Sequence, residues 1–191
     1  ALYVSTGRPQ LGLPILRQLV AQSPTEDDTE MLLGVIAQVA DARLAIELAP
    51  ALVAKYPESP RVLMAAATAL SSSGQYNAAY PLAARAARAG EGNPEYLSLL
   101  LQIAAATGQS SRFQQALQLV AKLDHTASAT AMVALRALHP AASTEALQTL
   151  QRAASGPARA LLQTWAAIAD AGGTTEDAFR LYAALYRARS T

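Results

Sequence analysis

The 191-residue chain has no cysteine. Disulfides, thiolate zinc sites, iron–sulfur ligation and cysteine nucleophiles are excluded together, while an oxidising and a reducing compartment suit it equally well. Histidine is almost as scarce. His125 and His139 are the only imidazoles, placed at opposite ends of one predicted helix, where they cannot share a metal. With no thiolate to complete a ligand set, no zinc site is expected. A triad of Asp124, His125 and a serine fails because sequence neighbours on a helix do not face one another. Charge of one sign is also missing: fifteen basic residues against fourteen acidic ones give a net charge of +1, dispersed along the chain. No basic field draws in nucleic acid or anionic lipid. The longest apolar stretch, Met31 to Ala54, is broken by Gln38, Asp41, Arg43 and Glu47, so no run of about 20 apolar residues exists to span a bilayer. Gly172-Gly173 stands without the spaced glycines or lysine of a phosphate loop and is expected to end a helix.

What is present is apolar and small. Hydrophobic residues make up 52% of the chain, enough for a sizeable core. Thirteen of the fifteen basic residues are arginine, and alanine, leucine and glutamine dominate, a composition associated with GC-rich bacterial genomes. The opening residues ALYVSTG carry neither an initiator methionine nor a signal segment, which suggests a piece of a longer protein.

Valine, isoleucine and threonine never alternate with polar residues over a strand's length, whereas apolar residues recur at three and four. Proline, glycine and serine cut the chain into segments of helical length. These predict eleven helices, at 8–21, 25–38, 41–55, 60–72, 75–89, 94–107, 111–122, 127–138, 143–154, 157–170 and 174–189. Their starts look capped: Thr25 precedes the acidic turn of SPTEDDTE and Thr174 that of GGTTED, where carboxylates oppose the helix dipole. The cluster Glu26, Asp27, Asp28 and Glu30 therefore has a structural job rather than the ligand pattern of a calcium loop. Pro14, Pro50 and Pro81 fall inside predicted helices, where a proline costs about 3 kcal/mol unless it lies in the first turn or the helix kinks.

Uniform helices joined by short connections pack as antiparallel hairpins. Gly74 and Gly108, each followed by glutamine and then an aromatic a few residues on, are 34 residues apart. The chain resembles tetratricopeptide repeats, which recur with that same period. Laid on that pattern, the packing slots fall on Thr29, Leu32, Leu33, Ile36, Ala45, Ala49 and Pro57. The next set is Leu63, Ala66, Ala67, Leu70, Ala79 and Ala83. A weaker set is Thr130, Val133, Ala134, Ala137, Ala146 and Leu150, and the last is Leu162, Trp165, Ala166, Ala169, Ala178 and Tyr182. The alanines at the second-helix crossing, Ala45, Ala79, Ala116, Ala146 and Ala178, are spaced 34, 37, 30 and 32, so irregular stacking is expected.

The resemblance implies an all-α, right-handed α-solenoid of stacked antiparallel hairpins over residues 1–191, starting mid-repeat, with no catalytic residues, cofactor or metal. It implies a concave face, lined by the first helix of each hairpin, that takes a protein or peptide. Partner-binding positions are Glu30, Gln38, Arg61, Met64, Thr68, Glu95, Ser98 and Gln102, with Asp27, Met31, Ser71 and Leu99 beside them. The lysine, asparagine and arginine set that grips a peptide carboxylate in some relatives is missing, so shape, apolar contacts and a few hydrogen bonds would hold the partner. The aromatics Tyr76, Tyr80, Tyr96, Phe113, Trp165, Phe179, Tyr182 and Tyr186, eight of the chain's ten, are expected to pack between helices, since no basic groove accompanies them. A bacterial envelope scaffold, in the periplasm and serving exopolysaccharide export, pilus assembly or secretion, is the expected setting, with the cytoplasm open. The alternatives are the helical superstructure of a larger enzyme, such as a cell-wall lyase, and a mechanical spacer or oligomerisation module; self-association stays open.

Overall fold

The computed structural model describes residues 9–22, 24–138 and 157–187. Among these residues the chain forms ten α-helices and no strand. They are α1 Pro9–Ala21, α2 Glu26–Val39, α3 Ala42–Val53, α4 Pro60–Ser72, α5 Tyr76–Ala89, α6 Pro94–Ala106, α7 Ser110–Leu123, α8 Ser128–Leu138, α9 Pro157–Ala171 and α10 Thr175–Arg187. The expected helix at 143–154 lies outside the described residues, as do Ala146, Leu150 and His139.

The helix starts keep time better than the alanines do. First helices begin at Glu26, Pro60, Pro94 and Ser128 and second helices at Ala42, Tyr76 and Ser110, always at the interval that separates Gly74 from Gly108. On this register the counterpart of Ala45 and Ala79 is Phe113, not Ala116; both Phe113 and Ala116 are fully buried. The drift in alanine spacing is thus a change of side chain at a constant backbone period.

Turns repeat with the same beat. Gly74 closes α4 at φ +76, with its amide bonded to Ser71 O and the amide of Gln75 bonded to Leu70 O. This is the paired closure that a left-handed residue after a helix permits. Gly108 stands at φ +68 and, one period before Gly74, Ala40 stands at φ +53. A search for glycine alone misses Ala40, because the position is marked by backbone conformation rather than by composition.

The chain divides into two compact units, residues 1–90 and 91–191. In the first, α2 and α3 form one hairpin and α4 and α5 another, and α2 lies along α4 while α3 also touches it. Helix α1 rests on α2 and α3. Leu33 and Ile36 on α2, Leu52 on α3 and Leu63 on α4 are buried, and every buried residue of α5 is alanine. Small side chains let the α4 and α5 backbones approach closely. Of the slots expected to pack in this unit, Thr29, Leu32, Leu33, Ile36, Ala45, Ala49, Leu63, Ala66, Ala67, Leu70, Ala79 and Ala83 are buried, whereas Pro57, in the turn between α3 and α4, is exposed. Pro14, Pro50 and Pro81 lie inside α1, α3 and α5 and face outward, where water can reach a carbonyl released by a missing amide.

In the second unit, α6 pairs with α7, α7 with α8, and α9 with α10. Piling in chain order would seat α8 on α6 as α4 sits on α2. Instead the main partner of α6 beyond its own hairpin is α9, and α8 lies against α7 and α10. The close approach of α9 to α6 depends on Gly172, where a Cβ would stand 2.4 Å from the carbonyl carbon of Ala105. Gly172-Gly173 does end a helix, with the amide of Thr174 bonded to Ala169 O. Leu162, Trp165, Ala166, Ala169 and Ala178 are buried as expected, but Tyr182 is 43% exposed.

The two threonine-led acidic starts behave differently. Thr25 and Asp28 close a reciprocal capping box on α2. At the start of α10 the Thr174 hydroxyl turns back to Ala169 O, and Asp177, with the same spacing, accepts from Ser110 Oγ at the start of α7 (2.9 Å). Burial of Asp177 converts a local cap into a tertiary tie.

Candidate functional site

Of the eight expected partner-binding residues, Glu30, Gln38, Arg61, Met64 and Thr68 belong to the first unit and Glu95, Ser98 and Gln102 to the second. In the first unit, Ser59 Oγ of α4 donates to Glu26, and Arg61 Nη2 lies 2.5 Å from Glu30 and 3.1 Å from Asp27. These contacts join the N-terminal ends of α2 and α4, so the helices run side by side in the same direction. Arg61 is therefore held within the chain: Glu30 first, and Asp27 after it, raises the guanidinium pKa above its ordinary value. Arg61 and Glu30, both expected to contact a partner, thus lie against one another as an ion pair between α2 and α4.

Beyond that ion pair the face carries no charge. Arg61, Met64 and Thr68 stand at i, i+3 and i+7 on α4, one stripe of a helix. Met64 and Thr68 are half-buried, and Thr68 Oγ1 donates to Met64 O (2.9 Å) while Ser71 Oγ donates to Thr68 O (3.0 Å). With their protons spent on their own helix, these hydroxyls offer a partner acceptor lone pairs. On α2, Glu30, Gly34 and Gln38 follow at intervals of four. Gly34 is exposed, and a Cβ there would meet nothing within 4 Å. A helix-interior glycine with empty space above it costs about 1 kcal/mol relative to alanine, and no packing contact within the unit requires it.

In the second unit, Glu95, Ser98 and Gln102 are exposed along one stripe of α6. The amide of Glu95 is held by Asn93 Oδ1 (2.9 Å), and Gln102 Nε2 donates to Ser98 Oγ (3.3 Å). Gln102 also lines a groove of about 540 Å³ whose other wall is α9, with Thr164, Ile168 and Ala171 facing Ala106. Helical periodicity gives no reason to bring residues 102 and 168 together, so this wall is legible only in three dimensions.

The aromatic expectation divides. Phe113 and Trp165 are buried, but Phe179 (71% exposed), Tyr182 and Tyr186 (71%) form an outward ridge on α10. Their i, i+3, i+7 spacing was visible; which side of α10 faces solvent was not.

The remaining electrostatics are local. Thr25 donates both hydroxyl and amide to Asp28 and lowers that carboxyl's pKa. Thr126 and the amide of Ala127 do the same for Asp124, which caps the turn into α8 beside the exposed His125. Arg17 makes two 2.8 Å contacts to Glu47 across α1 and α3, lowering the Glu47 pKa. Arg85 donates from Nη2 to Pro57 O while keeping a partly exposed side chain. Among the described residues, no three His, Cys, Asp or Glu side chains gather to hold a metal, and no helix is long and apolar enough to cross a membrane.

No protein-family model matches the chain, and comparison with curated proteins and with solved structures finds no match.

Proposed function

We propose that this protein is a non-catalytic, tetratricopeptide-like scaffold that holds a protein or peptide segment on the first-helix faces of its hairpins. The observation that carries the reading is the α2–α4 face. Arg61 is paired within the chain with Glu30 and Asp27, and Gly34, on the α2 stripe of Glu30 and Gln38, is exposed with nothing within 4 Å of where a Cβ would stand. A helix that exposes its backbone at a stability cost suits recognition by close approach rather than by charge. The regular beat of the helix starts supports stacked hairpins. An envelope setting belongs to the same proposal.

The test is a photo-crosslinking amino acid placed at position 64, at position 68 and, as a control, at Arg43, an exposed residue of α3. Cells of the source organism should yield a discrete adduct from positions 64 and 68 that Gly34→Leu abolishes. Equal adducts from position 43, or none from 64 and 68, would refute it.

A further inference from the structure

The repeat beat that sets α4 beside α2 continues into the second unit, where α8 starts at Ser128, one interval after α6 at Pro94. Both surfaces of the corresponding α6–α8 contact are kept. Two periods on from the buried α2 residues Leu32 and Ile36 stand Leu100 and Ala104 of α6, and two periods on from the buried α4 residues Val62, Ala66 and Leu70 stand Thr130, Ala134 and Leu138 of α8. All five counterparts are buried. Yet the helix that lies beside α6 is α9, which comes later in the chain, while α8 lies against α7 and α10.

The seat that α9 occupies is imperfect in two respects. A groove of about 540 Å³ opens between α6 and α9, lined by Ala106, Ala167, Ile168 and Ala171, so apolar surface that a close-packed helix pair would bury stays uncovered. On α10, which forms one hairpin with α9, Asp177 is 2% exposed. Its Oδ1 accepts from Ser110 Oγ of α7, and its Oδ2 has no hydrogen-bond partner within the protein. A buried carboxylate oxygen left unpaired forfeits its hydration. Two contacts key the hairpin into this seat all the same: the approach of Gly172 to Ala105, which leaves no room for a methyl, and the Ser110–Asp177 bond.

We propose that the second unit is a two-state device, in which the α9–α10 hairpin is a displaceable clasp over a seat on α6 that α8 takes when the clasp lets go. Release hydrates the Asp177 carboxylate; reseating restores the approach at Gly172. Because interiors are close-packed, helices exchange between discrete arrangements rather than sliding continuously. The α8-seated arrangement is the minor one, at about one molecule in a hundred or fewer. The groove beside Gln102 exists while α9 is seated, so the clasp switches that stretch of the first-helix face on and off, a consequence that rests on the reading of this face as a binding surface.

The experiment needs no partner, so its failure is separate from a failure of the binding reading. Since the chain has no cysteine, introduced pairs react alone. Ser98→Cys with Ala129→Cys puts thiols at the exposed α6 and α8 counterparts of Glu30 and Arg61, which meet across α2 and α4. Gln102→Cys with Thr164→Cys spans the α6–α9 groove and reports the seated hairpin. In the parent chain a short bismaleimide should link 102 to 164 rapidly and 98 to 129 slowly. Gly172→Ala should speed the 98–129 link by at least about tenfold and slow the 102–164 link, with the far-ultraviolet circular dichroism unchanged. Ser110→Ala, which takes from Asp177 its hydroxyl donor, should act in the same direction and decides the matter alone if Gly172→Ala does not fold. The proposal is overturned if the 98–129 link is no faster in the folded variants than in the parent, if both links speed up together, or if the gain comes only with loss of helix.

Discussion

Replacing Gly172 with alanine tests the contact that orders the second unit. A methyl there would lie 2.4 Å from both the carbonyl carbon and the Cβ of Ala105, and 2.7 Å from the Ala106 nitrogen. Ordinary contact begins at 3.4 Å, so the end of α9 must retreat from α6 by roughly 1 Å. Two of the three obstructing atoms are backbone in the last turn of α6, which cannot swing aside as a flexible side chain would. Over-packing of this kind costs about 1–3 kcal/mol, and the backbone obstruction puts the loss near the top of that range, about 3 kcal/mol. For a unit of this size each kcal/mol shifts the midpoint by about 4–8 °C, so a fall of at least about 10 °C is expected. The chain's one tryptophan, Trp165, is buried on α9, so urea and thermal unfolding followed by its fluorescence report on this unit. Two further glycines act as controls. Gly173→Ala, at φ +85 with nothing within 4 Å, carries backbone strain alone and should cost about 1 kcal/mol. Gly34→Ala fills empty space on a helix and should stabilise the first unit by about 1 kcal/mol. The reasoning fails if Gly172→Ala unfolds within about 0.5 kcal/mol of the parent, or if Gly173→Ala is the worse of the pair.

Ala40→Gly should raise stability by about 0.5–1 kcal/mol in chemical denaturation, because alanine is held there at φ +53 where glycine is relaxed; a loss would show that the α2 ending is not left-handed. Acid should weaken the fold. Asp28, Glu47 and Asp124 all have lowered pKa values in the folded chain, so the unfolded chain takes up protons first. Their contribution is intact above the ordinary carboxylate range of about pH 4 and is lost as pH falls through the folded values. Urea midpoints should be level from about pH 7 to 5 and drop below about 4, less steeply in Glu47→Gln; a level profile down to pH 3 would contradict this.

Much of the local structure follows from the order of residues alone. Helix length, the small-residue slots at Ala45, Ala49, Ala79 and Ala83, the cap at Thr25, and the turn at Gly74 involve neighbours within one or two turns, or a hairpin that a short connection forces together. Physical rules at that range act on residue type, so the sequence itself expresses them. The candidate faces were legible to the same extent: Arg61, Met64 and Thr68, like Glu95, Ser98 and Gln102, share a stripe because a helix turns once in about 3.6 residues.

The tertiary structure decided what long-range contact decides. That Arg61 is already answered by Glu30 and Asp27, that Asp177 leaves its own cap for Ser110, and that Phe179, Tyr182 and Tyr186 look outward depend on which helix arrives against which face. That α9, rather than α8, takes the place beside α6 is settled by a backbone approach at Gly172 to Ala105, far back along the chain. Hydrophobic periodicity says that a face is buried; it is indifferent to the identity of the helix that buries it, because apolar burial is non-directional. Only the close fit of backbone to backbone, with room for no methyl between them, chooses the partner.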